Sequence, residues 1–164
     1  LDCRVARISN PFGAGQDPRR PQGAASAFVF KAMAGEEIAI WGDGSVVRDY
    51  IHISDLAEGL ISLAEAPAEL CGDPPVFNIA SGVGISLNDI IEILTEHLGV
   101  NPRVLYHPGR AFDLPVSVLD IALARDRLGW SPRFSFAEGC ERMIRDLSEG
   151  RHWLSALPGI GDGR

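Results

Sequence analysis

The segment from Trp41 to Asp55 constrains the fold of this chain more than any other part of its sequence. It reads W-G-D-G-S-V-V-R-D-Y-I-H-I-S-D and joins a glycine-rich turn, a charged pair, an alternating strand, and a serine and an aspartate that can begin a helix. Gly42 and Gly44 can adopt the positive φ angles of a tight turn, and the apolar residues 38–41 lead into that turn as a strand. The segment therefore predicts a strand, a turn, a second strand and then a helix.

Arg48 stands at the mouth of this turn, beside Asp49, where a polar ligand can reach it. A guanidinium group suits a phosphate because its planar fork binds two oxygens at once. The alternative is a surface hairpin in which Arg48 and Asp49 pair only with each other. The local sequence taken alone favours this alternative.

Helical periodicity marks several other segments. The predicted helices cover residues 24–34, 54–66, 86–98, 120–128 and 135–149. Ser86 with Asp89, and Ser135 with Glu138, have the spacing of a capping box, which predicts where two of these helices begin.

Short apolar runs predict the strands, which cover residues 3–8, 38–41, 50–53, 76–80 and 103–106. Residues 10–23 are polar and rich in glycine, and they are predicted as a loop of the kind in which α/β proteins place ligands. The run over 76–80 suits a strand of a parallel sheet covered on both faces. The overall pattern is mixed α/β, and the strands near 5–8 and 76–80 need a larger sheet than the other predicted strands provide.

Charge and composition exclude several classes of function. The net charge of −7 argues against nucleic-acid binding, which usually needs a basic surface. No apolar run is long enough to span a membrane, and the four histidines show no metal-ligand spacing. The three cysteines are odd in number and widely spaced, which predicts reduced thiols in a cytoplasmic protein.

Signatures of catalysis are missing from the sequence. It holds no G-x-G-x-x-G, no Walker A lysine, no G-x-S-x-G and no H-E-x-x-H. Tyr50 is followed four residues later by Ser54, and Tyr106 by Arg110, so neither tyrosine forms a Tyr-x-x-x-Lys pair. No acid–base couple emerges from spacing alone.

Polar groups do stand at the ends of predicted elements. Each has a plain structural interpretation: Asn10 can satisfy a turn before a proline, and Arg110 with Asp113 can form a solvated ion pair. Taken together, Arg48 and Arg110 can neutralise a diphosphate while Asp113 accepts hydrogen bonds from ribose hydroxyls.

Four motifs resemble, in order, the C-terminal half of extended short-chain dehydrogenase/reductases, in particular the NAD-dependent nucleotide-sugar epimerases and dehydratases. The first, R-I-S-N-P-F-G-A-G-Q at residues 7–16, is similar to the family's R-x-x-N-x-Y-G-P-G-Q, with Phe12 for tyrosine and Ala14 for proline. The most specific comprises G-E-E-I-A-I-W-G-D-G, R-D-Y-I-H and D-L-A, within residues 35–57. The others are F-N-I-A-S-G followed by S-L, and G-R-x-x-D followed by L-G-W-S-P. Together the motifs cover about residues 4–147.

The resemblance implies a nucleotide-sugar site. In the family, the position of Asn10 bonds the diphosphate or the sugar, those of Arg48 and Arg110 bind the diphosphate, and that of Asp113 binds a ribose hydroxyl. The chain is therefore expected to bind a nucleoside diphosphate sugar, most like a UDP-sugar.

Five further positions follow from the same resemblance. Ala39 and Trp41 match positions that flank the nucleotide base, and Ile8 is expected close to the nicotinamide of NAD. Gly23 and Ala24, at the start of the helix over 24–34, are expected to border the diphosphate, where a helix N-terminus favours anions.

The activity implied is that of a UDP-glucose/UDP-galactose 4-epimerase, which transfers hydride from sugar C4 to NAD and back. A nucleotide-sugar 4,6-dehydratase is an alternative, and a non-catalytic nucleotide-sugar-binding module is a third. The glycine-rich NAD motif and the Tyr-x-x-x-Lys of the family precede this segment and are absent here, so the chain alone is expected to be inactive. The full-length enzyme is expected to be a homodimer.

The expected fold is α/β: the C-terminal substrate-binding subdomain of an extended short-chain dehydrogenase/reductase, with the last strands and helices of its Rossmann-like sheet and without its N-terminal Rossmann portion. The substrate-binding half is expected over residues 1–150, with 1–12 and 74–100 in the sheet layer. Residues 151–164, which are rich in glycine, are expected to be a flexible tail.

Overall fold

The computed structural model describes residues 3–16, 23–71, 76–99, 101–109 and 114–149, and it confirms the α/β class. The strands are β1 (Val5–Ile8), β2 (Asn10–Phe12), β3 (Ile38–Trp41), β4 (Val47–His52), β5 (Val76–Ile79), β6 (Gly84–Ser86), β7 (Val104–His107) and β8 (Val116–Ser117). The helices are α1 (Ala24–Ala34), α2 (Ile53–Glu65), α3 (Ala68–Cys71), α4 (Leu87–Leu98), α5 (Ala122–Leu128) and α6 (Phe136–Ser148). Within the described ranges, no helix has the length and apolar character needed to cross a membrane.

Helix starts follow the capping residues. Ser86 Oγ accepts the N–H of Asp89 at 3.0 Å, and the Asp89 carboxylate accepts the N–H of Ser86 at 2.8 Å, so both halves of the predicted box form. Ser135 and Glu138 form the corresponding box on α6. Helix α2 differs from expectation, because it begins at Ile53 and its N-cap is the imidazole of His52.

Strands β1 and β5 pair in parallel, from Val5 opposite Val76 to Ile8 opposite Ile79. Phe77 and Ile79 of β5 are fully buried. The intervening face of β5 is half-buried, so the predicted burial on both faces is found only in part. The assignment of residues 1–12 and 74–100 to the Rossmann-like sheet layer stays a prediction.

Strand β4 is the centre of a second sheet. Its C-terminal half pairs in parallel with β2, while its N-terminal half pairs antiparallel with β6 and parallel with β8. Residues 10–12 therefore form a strand, although they were expected to begin the glycine-rich loop over residues 10–23. The reason is the pairing with β4, a partner about forty residues away that local sequence does not reveal.

Strand β3 pairs in parallel with β7 and not with β4. Gly42 and Gly44 adopt φ angles of 92° and 80°, so the predicted tight turn is present. The two strands that flank this turn lie in different sheets, and the surface hairpin considered from the sequence does not form. The turn instead carries the chain from the edge formed by β3 to the β4 sheet.

Two apolar clusters stabilise the chain. The larger one contains Phe12, Phe28 and Phe136 and joins α1, α4 and α6 to the sheets. The second is built around Phe77 and Trp130, beneath α2 and α5. The clusters lie on either side of β4, which places the residues of that strand between two packed regions.

Candidate functional site

A polar pocket of about 250 Å³ opens where β1 ends and β4 begins. It is lined by Ile8, Ser9, Asn10, Arg48, Asp49, Ser117 and Leu119. The carboxyl end of a parallel strand is the usual place for ligands in α/β folds. Three residues predicted from the sequence, Ile8, Asn10 and Arg48, meet in this pocket.

A second pocket of about 190 Å³ lies between α1 and β3. Its lining consists of Ala24, Phe28, Ala39, Trp41, Val46, Arg48 and Leu87. Three further residues predicted from the sequence, Ala24, Ala39 and Trp41, thus come together on apolar walls. Arg48 lines both pockets and therefore stands between them.

The Arg48 side chain is held by backbone carbonyls. Its Nη1 donates to the carbonyl oxygens of Val47 at 2.9 Å and Leu114 at 2.7 Å. Among the residues that the structure describes, no carboxylate pairs with it, and the predicted alternative of an Arg48–Asp49 ion pair is wrong. The Nε and Nη2 groups of Arg48 have no hydrogen-bond acceptor among the described residues.

The Asp49 carboxylate bonds to groups other than Arg48. Its carboxylate is 1% exposed and accepts hydrogen bonds from Ser81, Gly82 and Leu119. The sequence alone suggests only a pairing of Asp49 with Arg48. The signal that points to Asp49 is an acidic residue within a strand, where aspartate is uncommon.

Asn10 is the first residue of β2 in its parallel pairing with β4, where it lies opposite Tyr50. Its Nδ2 donates to the carbonyl oxygen of Asp49 at 2.8 Å, which fixes the side chain against the strand that carries Arg48. Its amide oxygen has no protein partner among the described residues and remains available to a ligand. Ile8 precedes it at the end of β1, and 44% of its surface is exposed at the rim of the pocket.

The apolar pocket presents an aromatic surface. The Trp41 ring stacks on His107, with centroids 4.7 Å apart and planes inclined by 27°, and 46% of Trp41 is exposed. Gly23 is the N-cap of α1 with φ 77°, and no side chain caps the helix there. Among the described residues, the first N–H groups of α1 beside Ala24 have no hydrogen-bond acceptor, as an anion site at a helix N-terminus requires.

Arg110 and Asp113 lie outside the described residues. The described residues that precede and follow them are close to the site: the carbonyl oxygen of Leu114 accepts from Arg48, and Gly109 packs against Gly42 of the turn. The proposed roles of Arg110 and Asp113 stay predictions.

Another pocket, of about 360 Å³, contains none of the predicted site residues. It lies between Val83 and Ile85 on one side and residues 132–137 on the other, and its walls are mostly apolar. No group of His, Cys, Asp and Glu side chains that could hold a metal ion occurs in the part of the chain that the structure describes.

Comparison with known proteins gives a consistent picture. The model of the "NAD dependent epimerase/dehydratase family" matches residues 1–80. The UDP-glucose 4-epimerase of Mycolicibacterium smegmatis is 33% identical over 144 residues, which are 88% of this chain and 45% of that protein. The dTDP-glucose 4,6-dehydratase of Streptomyces antibioticus is 32% identical over 161 residues, 96% of this chain and 45% of that protein.

Solved structures share the fold as well. The UDP-glucose 4-epimerase of Thermotoga maritima, determined with UDP-glucose, has a TM-score of 0.79 and 31% identity over 91% of this chain and 47% of that one. MoeE5, determined with UDP-glucuronic acid and NAD, has a TM-score of 0.76 and 27% identity over 88% of this chain and 46% of that one. The chain thus spans about half the length of the relatives it matches. Sequence motifs, fold and these similarities together show that the chain belongs to the NAD dependent epimerase/dehydratase family.

Proposed function

We propose that this chain is the nucleotide-sugar-binding part of an NAD-dependent nucleotide-sugar epimerase of the UDP-glucose 4-epimerase type. The observation that carries the proposal is the position of Arg48 between a polar pocket and an apolar pocket. A nucleoside diphosphate sugar has the same order of parts, with a charged diphosphate between a flat base and a polyhydroxylated sugar. One arginine at the junction, whose Nε and Nη2 have no acceptor among the described residues, suits the diphosphate.

In this proposal the base lies in the apolar pocket beside Ala39 and Trp41. The sugar enters the polar pocket, where the amide oxygen of Asn10 accepts a hydrogen bond from a hydroxyl. The diphosphate lies on Arg48, near the open N–H groups of α1 at Gly23 and Ala24.

Arg110 and Asp113 are proposed to complete the site. Arg110 would add a second charge on the diphosphate, and Asp113 would accept from the ribose. Both assignments rest on the motif G-R-x-x-D and on the approach of Gly109 and Leu114 to the turn and to Arg48.

Among the described residues, Ile8 suits contact with the nicotinamide ring of NAD. Ile8 presents an exposed apolar side chain at the rim of the polar pocket, which suits one face of a nicotinamide ring next to the sugar. When bound, NAD supplies the hydride acceptor for oxidation at sugar C4. The residues of this chain bind and orient the sugar, while the base that removes the hydroxyl proton is proposed to come from a tyrosine outside this sequence.

A 4,6-dehydratase is the second candidate, since the Streptomyces antibioticus dehydratase is 32% identical over 96% of this chain. Both reactions begin with oxidation of the same class of sugar nucleotide, so the binding residues described here serve either. A binding module without catalysis would share these residues too.

Calorimetry with the purified chain tests the proposal. We expect UDP-glucose to bind, and Arg48→Ala to weaken binding by about 1.5–3 kcal/mol, because a charge-assisted hydrogen bond to the diphosphate is lost. The same loss is expected for Arg110→Ala. Arg145→Ala is the matched control, since Arg145 is an exposed arginine on α6 that pairs with Glu141. Equal affinity of Arg48→Ala, Arg110→Ala and the unaltered chain would remove the diphosphate assignment.

A further inference from the structure

Asp49 is a charged side chain buried at the junction of three chain segments. It is 1% exposed and stands on β4 directly after Arg48. Oδ1 accepts from the N–H of Ser81 at 2.9 Å and its hydroxyl at 2.7 Å. Oδ2 accepts from the N–H of Gly82 at 3.0 Å and the N–H of Leu119 at 3.3 Å. Each carboxylate oxygen therefore accepts two hydrogen bonds, and all four donors lie outside β4.

These bonds join segments that are far apart in sequence. Ser81 and Gly82 follow β5, the partner of β1, while Leu119 follows β8, the partner of β4. A buried carboxylate is costly unless several donors satisfy it. The four donors meet that condition, so the segments after β5 and β8 are held at fixed positions against β4.

The same residue is connected to the polar pocket. The carbonyl oxygen of Asp49 accepts from Asn10 Nδ2 at 2.8 Å, and Asp49 itself lines the pocket with Ser117 and Leu119. The Arg48 guanidinium rests on the carbonyl of Leu114, at the start of the segment that leads through β8 to Leu119. A shift of the segment after β8 would therefore move the support of Arg48 and one wall of the pocket together.

We infer that Asp49 is a positioning residue for nucleotide-sugar binding: its buried carboxylate, which accepts from Ser81, Gly82 and Leu119, fixes the pocket wall and the support of Arg48. This inference rests on the proposed function for the identity of the ligand. In this inference Arg48 supplies the positive charge that binds the diphosphate, and Asp49 holds Arg48 and the pocket wall in position.

Asp49→Asn tests the inference in the intact chain. The amide replaces one acceptor oxygen with a donor, so in either orientation two of the four donors lose their acceptor. We expect faster amide hydrogen exchange at Gly82 and Leu119 if the amide oxygen keeps the Ser81 donors, or at Ser81 if it keeps Gly82 and Leu119. We also expect a shifted NMR signal for the Asn10 side-chain amide and UDP-glucose binding about tenfold weaker.

Glu138→Gln is the matched control, because the Glu138 carboxylate also accepts the N–H and the hydroxyl of one serine, Ser135. Its capping box lies on α6 outside the polar pocket, so we expect unchanged affinity. Far-UV circular dichroism at the binding temperature shows that each variant is folded. If Asp49→Asn does not fold, Ser81→Ala removes one donor to Oδ1 and is expected to weaken binding in the same direction, to a smaller extent.

The outcomes separate this inference from the proposed function. Unchanged UDP-glucose affinity in a folded Asp49→Asn chain, or in Ser81→Ala if only that variant folds, overturns the inference. If the unaltered chain binds no UDP-glucose, the proposed function fails, and the exchange rates together with the Asn10 signal then decide whether Asp49 sets the pocket geometry. Unaltered exchange and an unshifted Asn10 signal overturn it, whereas faster exchange with a shifted signal supports it.

Discussion

His52 is a buried histidine that serves both as a helix cap and as part of an aromatic cluster. It is 4% exposed, its Nδ1 accepts the N–H of Ser54 at 3.3 Å, and the rings of Phe12 and Phe134 meet it edge-on. Burial lowers its pKa below the ordinary 6.5, and the nearby Arg142 lowers the pKa further. The neutral form with its proton on Nε2 is therefore the one that fits, because protonation of Nδ1 would remove the cap.

This depressed pKa predicts how stability depends on pH. Below about 6.5 the unfolded chain binds a proton at His52 and the folded chain does not, so this contribution to stability is present above 6.5 and is lost as the pH falls below it. Urea unfolding at pH 7 and pH 5 measures the loss. We expect the loss to be smaller in His52→Asn, in which asparagine can still cap the helix without titrating.

His97→Asn, at an exposed position on α4, is the control and should leave the loss unchanged. Equal losses for His52→Asn and the unaltered chain would contradict the role of burial.

At the scale of elements, α6 packs closely against the sheet because it carries a glycine on its buried face. A Cβ added at Gly139 would lie 2.5 Å from Phe12 Cζ and 3.3 Å from His52 Cδ2. The Phe12 ring cannot easily move, since it also contacts the Phe136 ring at a centroid distance of 4.9 Å. Gly139 thus sets the separation between α6 and the β2–β4 pair.

Gly139→Ala should therefore destabilise the chain. Alanine is favoured over glycine in a helix by about 1 kcal/mol, but overpacking a well-filled core typically costs about 1–3 kcal/mol. We expect a lower free energy of unfolding in urea. Glu141→Ala, on the exposed side of the same helix, is the control and should change that free energy by about 0.5 kcal/mol or less. A Gly139→Ala chain as stable as the unaltered one would show that α6 has room to move.

Local sequence predicts an element well when its stabilising contacts lie between neighbouring residues, and poorly when they lie between distant segments. Helices α4 and α6 were predicted because their capping boxes and apolar periodicity lie within about a dozen residues. Strands β2, β6 and β8 are only two or three residues long and exist because each pairs with β4. Such short strands leave no periodic pattern to read.

At the scale of the whole molecule, β4 is the strand with which three other strands, from distant parts of the chain, pair. Its residues contact the β2, β6 and β8 strands, and Arg48 and Asp49 lie within it. The segments that bring Asn10, Trp41 and Leu114 near Arg48 come from distant parts of the chain. The proposed binding site therefore depends on the assembled fold and not on one loop.

We predict that the purified chain does not interconvert UDP-glucose and UDP-galactose when NAD is supplied. The sequence contains no Tyr-x-x-x-Lys pair to remove the hydroxyl proton, although the proposed binding residues are present. Separation of the two sugar nucleotides by chromatography after prolonged incubation measures turnover, with a complete UDP-glucose 4-epimerase as positive control. Formation of UDP-galactose above the protein-free blank would contradict this prediction and show that the chain holds its own base.

By itself, the sequence determined the α/β class, the capped helices, the glycine turn at residues 42–44 and the motifs of the family, because each is encoded by neighbouring residues. Only the tertiary structure placed β3 and β4 in different sheets, set Arg48 between two pockets and surrounded the Asp49 carboxylate with four donors. These features depend on pairing between segments tens of residues apart. Such pairing is selected by the burial and hydrogen bonding of the whole chain, and no local pattern specifies it.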